Sequence, residues 1–175
     1  MVMAVVLSPS LGAAAPASRA AEAVARSLCA LVRATVEGVV REAVIVGSVE
    51  DELAEIADHA GCGLIETRTA AEGLARAAAQ SRSQVAFVLK GGFIPQSGFV
   101  EEAGDLLLDG ATFRGALLRR TPDSLMTRLA PGLAEPVGVF ALCAELRELA
   151  PCDLNQLIRR LKIRHTLGAR AQKVV

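Results

Sequence analysis

The chain has 175 residues, 52% of them apolar and 22% charged, a balance that excludes intrinsic disorder and suits a single domain over residues 1–175. Nineteen basic residues face nineteen acidic ones, which argues against a general nucleic-acid or anionic-membrane binder. Aromatic residues make up 3%, with neither Trp nor Tyr, so Ala, Val, Leu and Ile must fill the core.

Val2–Leu7 is an apolar, β-branched run stopped by Ser8-Pro9-Ser10. It reads as a first strand rather than a signal peptide, because no cationic segment precedes it. In Ala17–Val32, residues Ala21, Val24, Leu28 and Leu31 recur at helical spacing, with Arg19, Glu22 and Arg26 off that stripe. Ala43–Val46 is a second short buried strand, stopped by Gly47. Ser48-Val49-Glu50-Asp51 has the form of a capping box opening a helix with an inner stripe of Leu53, Ile56, Ala57 and Ala60, ended by Gly61-Cys62-Gly63. Gly63–Glu66 is a third strand. Thr69-Ala70-Ala71-Glu72 is another capping box, and the Ala-rich helix it opens, through Gln80, has side chains small enough to pack close to a sheet. Val85–Leu89 is a fourth strand, closed by Lys90-Gly91-Gly92.

Such alternation implies an α/β fold: one doubly wound, mostly parallel, Rossmann-like sheet with helices on both faces. After Gly98 the pattern loosens. Phe99–Leu108 reads as a helix, Thr112–Leu118 as a strand ending in Arg119-Arg120, Thr121–Leu129 as a short helix, Val137–Leu142 as a strand and Asp153–Leu161 as a helix. No stretch approaches the eighteen or so apolar residues of a spanning helix. The basic run Arg159–His165 suits a helix C-terminus in solvent, or else an anion or peripheral membrane contact.

Cys29, Cys62, Cys143 and Cys152 lie far apart without C-x-x-C spacing, which argues against a zinc site and fits a reduced, cytoplasmic setting. Cys29 falls on the apolar side of its helix and reads as a small core residue. His59 and His165 stand in polar surroundings. The sequence holds no G-x-G-x-x-G, no P-loop and no G-x-S-x-G elbow. Ser8-Pro9-Ser10, Gly47-Ser48 and Lys90-Gly91-Gly92 each follow a strand at its carboxyl end, where open α/β sheets bind their ligands. Together they form either an anion cradle of free backbone amides or merely the Gly- and Ser-rich turns that any α/β fold needs.

Several stretches resemble the short bacterial family 2 glycosyltransferases. VVLSPSL is similar to that family's opening strand and turn, VREAVIVGSVEDELAEIADHAGC to its second strand and following helix, LARAAAQSRSQVAFVLKGG to the helix and strand before its Asp-x-Asp site, and LNQLIRRLKIRHTLGARAQKVV to its closing helix and terminal strand. The resemblance implies the A-type nucleotide-diphospho-sugar transferase fold, a nucleotide-sugar donor and an acceptor of unknown kind. It places Pro9 and Ser10 at the floor of the nucleotide pocket, Gly47 and Ser48 along it, Lys90, Gly91 and Gly92 at the diphosphate, and Asp153 as the base, with Glu145 a poorer substitute. The departures fall in the chemistry: Val46 replaces an acid, and Lys90-Gly91-Gly92 carries no metal-binding carboxylate. Two expectations follow. One is a metal-independent transferase with no cofactor, Lys90 and the Gly91 and Gly92 amides holding the diphosphate. The other is a non-catalytic relative serving as an interaction scaffold.

Overall fold

A computed structural model describes residues 1–11, 17–49, 52–108, 113, 115–148 and 154–174. Eight strands form one sheet: β1 (Val2–Leu7), β2 (Val40–Gly47), β3 (Gly63–Glu66), β4 (Val85–Lys90), β5 (Phe93–Pro95), β6 (Ala116–Arg120), β7 (Pro136–Leu142) and β8 (Thr166–Lys173), in the order β3-β2-β1-β4-β7-β6-β8-β5. The helices described are α1 (Ala17–Val36), α2 (Ala54–Ala60), α3 (Ala70–Gln80), α4 (Phe99–Leu108), α5 (Leu125–Leu129), α6 (Cys143–Arg147) and α7 (Leu154–Arg160), with a 3₁₀ turn at Pro131–Leu133.

The first four strands are parallel neighbours, as their buried apolar runs imply: Leu7 lies in register with Val46 on one side and Lys90 on the other. From there the sheet departs from the mostly parallel expectation. β7 runs antiparallel to β4 and β6, β6 and β8 are parallel, and β5 is antiparallel to β8. The sheet is mixed. Strand direction in the second half is invisible to a pattern of apolar runs, because both directions bury the same side chains.

Alternation along β1 sends its side chains into two clusters. Val2, Ala4 and Val6 join Val24, Leu28 and Leu31 of α1 and Phe99, Val100 and Ala103 of α4. Met3, Val5 and Leu7 join Leu74 and Ala77 of α3, Leu146 of α6 and Leu157 of α7. The first cluster also gathers Phe87, Phe93, Phe99 and Phe140, with the ring centroid of Phe87 4.5 Å from that of Phe140 and 4.9 Å from that of Phe99.

Local signals were decoded unevenly. Thr69 caps α3 as expected, its Oγ1 accepting from the Glu72 amide, but the Glu72 carboxylate turns to the Thr67 hydroxyl at 2.8 Å instead of closing the box. The expected Ser48 box does not open α2. That helix starts at Ala54 with Leu53 at its cap and no side-chain cap bond, and Glu50 and Asp51 lie outside the described residues. β2 begins at Val40, earlier than expected, because Arg41 and Glu42 interrupt its apolar run. β6 is shifted to Ala116–Arg120, so both arginines belong to the strand. Cys29 is exposed rather than in the core; among the described cysteines Cys143 is the buried one. Among the described residues, no helix is long and apolar enough to cross a membrane.

Gly73 shows why α3 can sit so close to the sheet. A Cβ there would lie 2.1 Å from Val46 Cγ1 and 2.9 Å from Thr67 Cγ2. Gly73→Ala should therefore destabilise the protein by about 1–3 kcal/mol through overpacking, outweighing the roughly 1 kcal/mol that Ala gains over Gly in a helix. The midpoint of urea unfolding measures the sign.

Candidate functional site

Parallel alignment brings the carboxyl ends of β1, β2, β3 and β4 to one edge, where Leu7, Gly47, Glu66 and Lys90 end their strands. The turn after β1 is internally tied: Ser8 is buried, its amide donates to Val46 O at 2.8 Å, and its hydroxyl lies 3.0 Å from the Ser10 hydroxyl. Pro9 and Ser10 are half-buried beside it. Gly47 is buried, its carbonyl accepting from the Thr67 amide at 2.9 Å, and Ser48 is half-buried at the rim. The sequence-predicted residues Pro9, Ser10, Gly47, Ser48, Lys90, Gly91 and Gly92 thus share one strand edge.

The glycine amides do not line that edge as a cradle. Gly91 N–H donates to Leu7 O at 2.7 Å, and Gly92 N–H donates to Ala23 O at 3.0 Å and to the Ser27 hydroxyl at 2.9 Å. Both donors are spent inside the fold, so the expectation that they hold an anion is corrected. The glycines serve a corner instead. A Cβ on Gly91 would meet Leu7 O at 2.8 Å, and Gly92 has φ +86°, so the chain can leave β4, brush against β1 and α1, and enter β5 across the sheet. Ser27 Oγ, fully buried, accepts from Gly92 and shares its one proton between the carbonyls of Ala23 and Phe93, 3.1 and 3.0 Å away.

Lys90 projects from this corner and meets Glu135, with Nζ 2.5 Å from Oε1. The lysine side chain is 28% exposed and the glutamate 48%. Sequence reasoning missed Glu135 because its position depends on β7 running antiparallel to β4: Leu89 pairs with Gly138, so the residue before Pro136 arrives beside the tip of β4. The same register moves Glu145 out of contention as a base. Val85 pairs with Leu142, which puts α6 at the opposite end of β4, and the Glu145 carboxylate there accepts from the Leu142 amide. Asp153, the expected base, lies outside the described residues, directly before α7.

Two further cations stand at this edge, on strands two spacings (about 10 Å) from β4. Arg119 Nη1 donates to Ala134 O at 2.6 Å, beside the Glu135 that holds Lys90. Arg120 is ion-paired with Asp123. Described residues offer no cluster of three or more His, Cys, Asp or Glu side chains able to hold a metal ion. Glu135, the carboxylate against the tip of β4, is already engaged by Lys90.

No protein-family model and no curated protein matches the sequence. Solved structures do. The chain is similar to a mycobacterial protein (TM-score 0.63, 19% identity, 98% of this chain and 64% of that one). It is also similar to glucosyl-3-phosphoglycerate synthase from Mycobacterium tuberculosis in complex with Mn²⁺, UDP and glucosyl-3-phosphoglycerate (0.61, 20%, 98% and 71%). A putative glucose-1-phosphate thymidylyltransferase from Bacillus anthracis aligns over 99% of this chain and 89% of its own, at 9% identity and TM-score 0.61. The chain therefore has the A-type nucleotide-diphospho-sugar transferase fold. It spans only 64% of the length of the mycobacterial protein.

The corner and the ion pair should separate in mutagenesis. Ser27→Ala orphans the buried Phe93 carbonyl and removes an acceptor from Gly92, and should cost about 1–3 kcal/mol of unfolding free energy. Lys90→Ala breaks a largely solvated pair and should cost no more than about 1 kcal/mol. Chemical denaturation of both variants is the check.

Proposed function

We propose that this protein binds a nucleotide-sugar diphosphate at the strand-tip edge, as a glycosyltransferase-like protein of the family 2 type. The carrying observation is a half-buried lysine at the tip of β4, set between the turn after β1 and the segment entering β7, in a fold shared with enzymes of nucleotide-sugars. The donor's nucleotide would lie along Pro9, Ser10, Gly47 and Ser48, with its diphosphate against Lys90. Gly91 and Gly92 contribute by letting the backbone approach closely, not through their amides.

Glu135 gives this reading a physical cost. Its carboxylate neutralises Lys90, so an incoming diphosphate must displace it or share the ammonium. The Lys90–Glu135 contact and the Lys90–diphosphate contact that would replace it are both charge-assisted hydrogen bonds, so the greater negative charge of a diphosphate is what favours the exchange. Among the described residues, no group of three or more His, Cys, Asp or Glu side chains gathers to hold a divalent metal. In a transfer reaction the acceptor hydroxyl oxygen would bond to the anomeric carbon as the sugar–phosphate bond breaks. The nucleoside diphosphate would leave, and Asp153 would take the hydroxyl proton.

A second reading, a scaffold that has kept the fold without turnover, draws support from a run of uncovered apolar side chains after β6: Leu125, Met126, Leu129 and Leu133 are each at least 67% exposed. Calorimetric titration with UDP- and GDP-sugars, with and without Mg²⁺ or Mn²⁺, tests the first reading. Saturable binding of one donor is expected, weakened about tenfold or more in Lys90→Ala. No binding of any donor by the unaltered protein would overturn it, and donor binding without turnover would favour the scaffold.

A further inference from the structure

β6 and β8 run parallel, and their register places Arg119 beside Arg170. Two like charges directly opposite on neighbouring strands are destabilising unless something of opposite sign joins them. Nothing among the described residues does: neither guanidinium makes an ion pair with a described carboxylate. Arg119 donates through Nη1 to Ala134 O, while its Nε–H is buried without a hydrogen-bond partner. Burial and the neighbouring Arg170 charge both push the Arg119 pKa down, yet a guanidinium stays protonated in proteins. An orphaned, buried donor atom on a half-buried cation is a costly feature.

The strand is built to hold the pair together. Between Leu117 and Arg119 the register jumps from Thr166 to Arg170, so β8 bulges at residues 167–169. The bulge is pinned by Glu102 of α4, whose carboxylate accepts from the amides of Gly168 and Ala169 at 2.7 and 2.8 Å. Its carbonyls at Leu167 and Ala169 accept from Arg170 Nη1. Bulges re-aim side chains, and this one sets Arg170 opposite Arg119 with the rest of its fork uncommitted to any described carboxylate. A planar guanidinium presents its donors in an array that matches an oxyanion.

We infer that Arg119 and Arg170 form an oxyanion site on the strand edge, distinct from Lys90, for a small molecule bearing a phosphate or carboxylate group. As an anion site it stands on its own geometry. Its assignment to the acceptor, which would make the acceptor an anionic metabolite rather than a neutral sugar or alcohol, rests on the donor reading above. Lys90 grips Glu135 and Arg119 grips the adjacent Ala134, so the two sites would share one short wall of backbone.

The experiment is calorimetric titration of the whole chain with inorganic phosphate and, separately, acetate, on the unaltered protein, Arg119→Gln, Arg170→Gln, Arg170→Lys and Arg82→Ala, the last an exposed arginine at the opposite end of β4. Circular dichroism confirms that each variant is folded. The unaltered protein should bind at least one of the two anions saturably, with affinity falling as NaCl rises. Either Gln variant should weaken that binding about tenfold to a hundredfold, Arg170→Lys should keep part of it, and Arg82→Ala should leave it unchanged. Which anion binds more tightly distinguishes a phosphate from a carboxylate ligand. By NMR, the Arg119 Nε–H resonance should shift on titration. If a Gln variant does not fold, Arg170→Lys and this resonance carry the test. The inference is overturned if neither anion binds, if neither Gln variant weakens the binding, if the resonance does not move, or if Arg82→Ala abolishes binding as fully as the Arg119 and Arg170 variants. Donor binding that persists when phosphate and acetate both fail would sink the arginine site alone. Anion binding without donor binding would sink only the acceptor assignment.

Discussion

Much of this architecture turns on the hydrogen bond from Gly91 N–H to Leu7 O and the close approach that makes it attainable. The bond ties the end of β4 to the end of β1 at 2.7 Å, at a place where a single methyl group would strike a backbone oxygen. The next residue, in left-handed backbone and bonded to α1 through Ala23 and Ser27, sends the chain out of the parallel half of the sheet. β5, which starts at once, pairs not with β4 but with β8 at the far end of the strand order. That jump obliges the second half of the sheet to curl back toward the corner.

The curl explains why the candidate site is assembled from distant parts of the sequence. β4 supplies Lys90, the segment before β7 supplies Glu135, β6 supplies Arg119 and β8 supplies Arg170. Antiparallel β7 returns its N-terminal end to the edge where β4 finishes, while β6 and β8, running with β4, deliver their arginines there too. A basic edge emerges from a chain whose formal charge is zero. Net charge describes solubility and long-range steering; it says little about which cations the topology gathers.

The expected glycine cradle illustrates a general hazard in reading turns. Gly91 and Gly92 are where a phosphate-binding loop would put glycines, and the chain does need glycine there, but for packing and backbone sign rather than for free donors. Amides satisfied by Leu7, Ala23 and Ser27 cannot also serve a ligand without breaking buried hydrogen bonds. The cationic side chains are the better bearers of anion recognition here.

By itself the sequence determined the first half of the fold. Val2–Leu7 and Val85–Leu89 read as buried parallel strands because they are continuous apolar runs, and α1 and α3 read as helices because their apolar residues recur every three or four positions. These signals are local, so one chain segment carries them whole. Convergence of Pro9, Gly47 and Lys90 on one edge follows from parallel alternation alone. Tertiary structure decided the rest: the direction of β7, the meeting of Lys90 with Glu135, the exile of Glu145 to the far edge and the pairing of Arg119 with Arg170. Each depends on which strand lies beside which and in what register. An apolar strand looks the same in either direction, and its partner's polar residues lie dozens of positions away, beyond any local pattern.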